Sequence, residues 1–292
     1  MPSPSAPPVL RHVRAKLNLS LHVTGRREDG YHELDGLIAF AEVGETLRAE
    51  ASPSLSLAVH GPYAEALESE DDNLVLRAAR MLAQHAGVEA GARLTLDKHI
   101  PVAAGLGGGS ADAAATLEAL VALWNIDVPG SELMEMALSL GADVPVCLYG
   151  HSAFISGIGE RIGPAPHLPT SWLVLVNPGI PLATAEVFAA RKGPFSPPAH
   201  RWQASPASAW ALAEWLRRDR NDLEDAAKSL VPDIAQVLTA LRHSGGCLLA
   251  RMSGSGSSCF GLYSEHGSAE AAAAQIAVAH PGWWVRHARL VG

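Results

Sequence analysis

A chain of 292 residues is long enough for one large or two medium domains with a sizeable core. Its hydrophobic content of 48% marks a globular protein, and its net charge of -8 argues against a general nucleic-acid binder. No apolar run reaches the ~18–20 residues that span a bilayer. Cys147, Cys247 and Cys259 lack metal-ligand spacing, a sparse set that fits reduced thiols in a cytoplasm.

Met1 to Leu10 is rich in Pro and Ser without an apolar signal core, and residues 1–13 read as a disordered lead-in. Leu17, Leu19, Leu21 and Val23 then alternate with Asn18, Ser20 and His22, a strand with one apolar and one polar face. Lys16 and Asn18 share the polar face. Asp29-Gly30 signals a turn, and strands are expected over 34–42, 46–51 and 54–60. Asp72-Asn73 can cap a helix over 74–85 that stops at Gly87. A strand over 92–100 leads into the most informative stretch of the chain. There Pro101-Val102-Ala103-Ala104-Gly105-Leu106-Gly107-Gly108-Gly109-Ser110 runs into Ala111-Asp112 and an Ala/Leu-rich helix of about thirteen residues.

Ser131 is expected to cap a helix over 132–140, ended by Gly141 and followed by Ala142-Asp143-Val144-Pro145. Residues 163–169 look like a linker. Beyond it come a strand over 172–176, helices over 184–191, 208–218 and 221–243, and strands over 247–252 and 258–263. The last two flank a small-residue loop, Ser253-Gly254-Ser255-Gly256-Ser257. A helix over 269–279 and a strand over 284–290 finish the chain. Trp210, Trp215, Trp283 and Trp284 sit in amphipathic patterns and read as core. Strands mixed with segregated helices favour an α+β fold over a doubly wound one.

Four glycines in five positions ahead of a strong helix gather unpaired N–H groups at the positive end of a helix dipole, which is a phosphate site in physical terms. The P-loop pattern fails, because Gly109 is followed by Ser110-Ala111 where Lys-Ser/Thr is required. The dinucleotide fingerprint places a third glycine at position 110, which is Ser; Asp127 lies at a suitable distance, but 124–129 looks like a loop.

The glycine loop resembles the ATP-binding motif of the GHMP kinases. The resemblance extends over most of 14–265, through Ala15-Lys16-Leu17-Asn18-Leu19, Asp29-Gly30-Tyr31-His32-Glu33-Leu34, Gly141-Ala142-Asp143-Val144-Pro145, Gly157-Ile158-Gly159-Glu160, Asn221-Asp222-Leu223-Glu224 and the 253–257 loop. Arg14, Ala111 and His151-Ser152 depart from the usual pattern without removing a reactive group. The resemblance implies an α+β protein of two domains, 14–162 and 163–292. The first would be like ribosomal protein S5 domain 2 and the second ferredoxin-like, with the site in a cleft between them.

The resemblance further implies ATP as co-substrate with Mg²⁺ held mainly by phosphates and water, and residues 101–111 as the ATP site. It makes Asp143 the base that takes the substrate hydroxyl proton, and Lys16 a partner of Asp143 that stabilises charge on the transferred phosphoryl group. By the residues alone, Asp143 reads sooner as a turn cap than as a base, and only the resemblance reverses this; Lys16 alone reads as a solvated lysine. The pairing of Ala15-Lys16-Leu17-Asn18-Leu19 with Asp29-Gly30-Tyr31-His32, together with Gly141-Ala142-Asp143-Val144-Pro145, resembles one branch of the family, and that resemblance implies an alcohol substrate of methylerythritol type carrying a cytidine diphosphate group. Tyr31 and His32 would hold the cytidine, Phe188 would give the opposite stacking face, and Asn18 would contact the methylerythritol hydroxyls. The 253–257 loop would close over the phosphates. Lys98 reads either as a phosphate contact or as an exposed strand lysine. Two other readings stay open: a GHMP kinase for another small alcohol, such as homoserine or a mevalonate derivative, and a nicotinamide oxidoreductase.

Overall fold

Alternating apolar residues build the first two strands, and both are long. A computed structural model describes residues 7–67, 73–89 and 91–292. Strand β1 is Val9–Arg26 and β2 is His32–Ser52. Two expectations change here. The lead-in ends earlier than residue 13, because Val9 already enters β1 and Val13 is buried. The separate strands at 34–42 and 46–51 are one, because Gly44 fits where any Cβ would collide with the backbone of Val13. Residues 1–6 and Asp72 lie outside the described residues.

The chain folds into two interleaved compact units, and it passes from one to the other within β1, within β2 and within the glycine loop. The first unit holds the chain up to Arg14, Gly44–Val102 and Gly108–Tyr149. In it, β3 (Ser56–His60) runs parallel to β4 (Gly91–Asp97), and β4 pairs antiparallel with β2 from Thr46↔Asp97 to Ser52↔Gly91. A parallel pair needs a crossover, and α1 (Leu74–Ala86) lies on it. Asn73 caps α1 by accepting from Val75 N, and Gly87 closes it in the left-handed conformation at φ 62°. Then follow α2 (Gly108–Trp124), α3 (Gly130–Leu140) and α4 (Val144–Tyr149). Helix α2 is buried on most of its circumference, and Leu117 and Leu120 pack with Leu47, Leu94, Leu96 and Leu82 in one core. Burying each such leucine contributes ~1.5–3 kcal/mol. Ser131 does not cap α3: the helix starts at Gly130 behind Pro129, whose carbonyl accepts from Glu132 N and Leu133 N.

The second unit holds Ala15–Val43, Ala103–Gly107 and Gly150–Gly292. Strand β5 (Ala153–Gly157) pairs with the first half of β2, and β6 (Arg161–Pro164) returns on it as a hairpin. Gly163 and Pro164, read as linker, therefore belong to a strand; Pro164 ends it. Next come β7 (Trp172–Asn177), α5 (Thr184–Ala190), α6 (Ala209–Leu216), α7 (Glu224–Leu230), α8 (Asp233–His243), β8 (Leu249–Met252), β9 (Cys259–Tyr263), α9 (His266–Ala279) and β10 (Trp284–Val291). The expected helix over 221–243 is two, because Pro232 cannot continue α7. The strand order β10-β7-β9-β8 is antiparallel throughout. With α8 and α9 as its crossovers it is the ferredoxin-like βαββαβ arrangement. Trp284 is buried as expected, Trp215 and Trp283 are half-buried, and Trp210 is 59% exposed, on the outer side of α6.

Candidate phosphate and substrate site

The glycine loop delivers Gly108, Gly109 and Ser110 as the first turn of α2, whose leading N–H groups have no partner within the helix. The two halves of the loop belong to different units, and each half is held differently. In the first unit, Lys98 just beyond β4 is 2% exposed, which overturns the exposed-lysine alternative. Its Nζ lies 2.7 Å from Glu45 Oε1 and 2.7 Å from Asp112 Oδ2. Burial, then Asp112, push the Glu45 carboxyl up to about 9 against the pull of Lys98. For Lys98, burial opposes the charge, but attraction to Asp112 and Glu45 outweighs it and raises the ammonium above its ordinary range.

In the second unit, Lys16 is 3% exposed on β1, so it is not a solvated lysine. Its backbone N–H donates to Leu106 O at 2.9 Å, and its Nζ donates to Asn18 Oδ1 at 3.0 Å. Gly107, at φ 65°, lies directly against this lysine: a Cβ there would meet Lys16 Cε at 2.9 Å. Gly105, at φ 72°, has no room for a side chain either, since a Cβ would stand 2.5 Å from Ser253 O and 2.7 Å from Gly256 O. The 253–257 loop is thus seated on the glycine loop. Ser253 Oγ donates to Gly105 O at 2.9 Å and accepts from Asn18 N at 3.1 Å. Asn221 Nδ2 donates to Met252 O and Gly254 O, both at 2.8 Å, and Thr184 and Ser255 share a hydrogen bond. Local sequence points to Lys16, Asn18 and the two loops. It does not point to Asn221 and Thr184 as their braces, although Asn221 opens one of the family motifs.

Asp143 sits between α3 and α4 in the first unit, half-buried. Its carbonyl accepts from Cys147 N at 3.3 Å, so it occupies the position that opens α4.

The candidate cytidine residues lie in the second unit. Gly30, at φ 91°, makes the turn in which Tyr31 N donates to Asp29 Oδ1 at 3.0 Å. Tyr31 is 60% exposed, a ring face open to a ligand. His32 stacks on Phe188 with ring centroids 4.8 Å apart and planes 20° from parallel. Burial, then Arg26 and Arg191, lower the His32 imidazolium below its ordinary range, so it is neutral at pH 7. Arg27 ties this turn to the Gly157–Glu160 motif by donating to Glu33 and to Glu160.

No group of three or more His, Cys, Asp or Glu side chains among the described residues converges on a metal position. No helix among them is long and apolar enough to cross a membrane.

Comparison with known proteins matches residues 73–151 to the GHMP kinases N terminal domain and residues 208–280 to the GHMP kinases C terminal domain. A 4-diphosphocytidyl-2-C-methyl-D-erythritol kinase from Rhodospirillum rubrum is 52% identical over 99% of this chain and 95% of its own length. The enzyme of that name from Paramagnetospirillum magneticum is 52% identical over 95% of this chain and 96% of its own. A crystal structure of 4-(cytidine 5'-diphospho)-2C-methyl-D-erythritol kinase superposes with a TM-score of 0.78 at 38% identity, covering 97% of this chain and 100% of that one. A homoserine kinase from Cytophaga hutchinsonii shares the fold, with a TM-score of 0.70 at 17% identity over 96% of this chain and 94% of that one.

Proposed function

This chain belongs to the GHMP kinase family, and on that basis we propose that it transfers the γ-phosphoryl group of ATP to the 2-hydroxyl of 4-diphosphocytidyl-2-C-methyl-D-erythritol, a step of non-mevalonate isoprenoid synthesis in the cytoplasm. The observation that carries the reading is the glycine cradle at the start of α2, with a buried lysine against Gly107. Residues 14–162 and 163–292 act as the family's two domains.

Phosphoryl transfer needs positioning and charge neutralisation more than covalent chemistry from the protein. Residues 101–111 form the ATP site, and backbone N–H groups at its glycine-rich end hold the phosphates. Mg²⁺ carried in with ATP would be held mainly by phosphates and water and would supply neutralisation of part of their charge. Lys16, held by Asn18, stabilises the negative charge that develops on the transferring group. Asp143 accepts the substrate hydroxyl proton. Tyr31 supplies a stacking face for cytosine, His32 and Phe188 complete its aromatic wall, and Asn18 contacts the methylerythritol hydroxyls.

Substrate competition tests this reading. CMP and CDP should compete with the alcohol substrate and leave the KM for ATP unchanged. Asp143→Asn should lower kcat by ~10²–10⁴ with native circular dichroism, the usual cost of losing a general base. Efficient phosphorylation of homoserine or mevalonate, with no competition by cytidine nucleotides, would overturn the substrate assignment.

A further inference from the structure

Three ionisable side chains are buried together beneath the first turn of α2, and the proposed phosphoryl transfer uses none of them. Lys98 stands at the exit of β4, Glu45 on β2 and Asp112 in α2; they are 2%, 1% and 2% exposed. The cluster touches both ends of the glycine loop. On the entry side, Ile100 N donates to Glu45 Oε1 at 3.3 Å. On the exit side, Lys98 Nζ donates to Asp112 Oδ2 at 2.7 Å, and a Cβ on Gly108 would stand 3.1 Å from that same nitrogen. Two carboxyls thus face one ammonium, and Asp112 Oδ1, fully buried, has no hydrogen-bond partner among the described residues. A carboxylate left in that state is costly.

We propose that Glu45, Lys98 and Asp112 are positioning residues for the phosphate loop, with Glu45 kept in its neutral acid form beside Asp112 while Lys98 ties the two loop ends together. This rests on the assignment of residues 101–111 to ATP. A proton held on Glu45 beside Asp112 leaves one ammonium against one carboxylate. The charged groups facing Glu45 are Lys98 and Asp112, and their balance with burial favours the neutral acid. Loss of that proton would put a second negative charge directly under a helix N-terminus that binds anionic phosphates. It would also set two carboxylates against each other at the loop's anchor. The cluster therefore couples the phosphate site to alkaline pH without touching the nucleotide.

The test compares the full-length enzyme with Glu45→Gln, whose amide keeps a donor and cannot ionise. ATP affinity is measured by calorimetry, and kcat and the KM for ATP are followed from pH 7.5 to 10. In the unmodified protein the Kd and KM for ATP should rise about tenfold by pH 10, the response of one group that releases its proton near pH 9. Glu45→Gln should hold the neutral-pH affinity within about twofold and lose the alkaline rise, since it fixes the cluster in its neutral state. A purely structural cluster would lower thermal stability in the variant and leave the pH profile of ATP binding unmoved. The proposal is overturned if the unmodified protein binds ATP equally across this range, or if Glu45→Gln keeps the alkaline rise. Failure of the unmodified protein to bind ATP at pH 7.5 would instead overturn the phosphate-loop assignment.

Discussion

Two lysines flank neighbouring glycines of the same loop, and both are almost fully buried: Lys16 against Gly107 and Lys98 against Gly108. Lys98 donates to two carboxyl groups within one cluster, so its charge is consumed where it stands. Lys16 donates to the amide oxygen of Asn18, a residue itself fixed by Ser253, and its side chain lies against Gly107. The same residue type beside the same loop therefore divides into two jobs. In the proposed mechanism one lysine fixes the backbone of the phosphate loop, and the other acts on the group that gains charge during turnover.

The largest effect that separates the two is on stability. Lys98→Met strands two buried carboxyls, and losing one partner of a buried ionic group costs ~3–5 kcal/mol. Chemical denaturation should show a loss of that size, together with weaker ATP binding. An unchanged denaturation midpoint would remove the distinction. Lys16→Met should do the reverse, with kcat down by a factor equivalent to ~3 kcal/mol and a smaller change in thermal midpoint. If Lys16→Met lost stability and kept turnover, the assignment of Lys16 to chemistry would fail.

Smaller still is the effect expected on the cytidine side. Tyr31→Ala should raise the KM for the cytidine substrate by one to two decades, since stacking a base on an aromatic ring is worth ~1–3 kcal/mol. The KM for ATP should stay put, which shows that the loop and its two lysines are untouched. The last effect is the pH slope of stability, at most ~1.4 kcal/mol per pH unit for one group. Glu45 holds its proton in the folded state up to about pH 9, while an unfolded glutamate releases it near pH 4.3. The folded protein binds the extra proton between these values, so this group's contribution is full below the lower one and declines as pH rises toward the upper one. Glu45→Gln should flatten that part of the stability profile; an unaltered slope would mean that Glu45 is ionised in the folded protein.

The sequence is most legible where short-range patterns carry the signal. The glycine run, the alternation along β1, Gly87 and Gly141 as helix ends, and the four strands and two crossovers of the ferredoxin-like unit are all readable from local residues. Lys16 and Asn18 can be paired because a strand repeats every two residues. Lys98 cannot be placed, because its partners Glu45 and Asp112 are 53 and 14 residues away and neither spacing is a local pattern. The joining of two expected strands into β2 depends on Val13 lying across Gly44, again a distant contact. The interleaving of the two units is invisible for the same reason, since long strands carry the chain between them without any change in composition. His32 against Phe188 and Asn221 against Met252 and Gly254 bring together motifs that stand apart in the chain, and only the fold joins them.

The kinase assignment meets its sharpest test in the phosphorus signals of a mixture of the protein, ATP, Mg²⁺ and 4-diphosphocytidyl-2-C-methyl-D-erythritol. ADP and one new phosphomonoester, on the 2-hydroxyl, should appear in equal amounts, and Lys16→Met and Asp143→Asn should suppress both. Steady consumption of ATP with no phosphomonoester on the cytidine substrate, while homoserine or mevalonate gains one, would contradict the assignment.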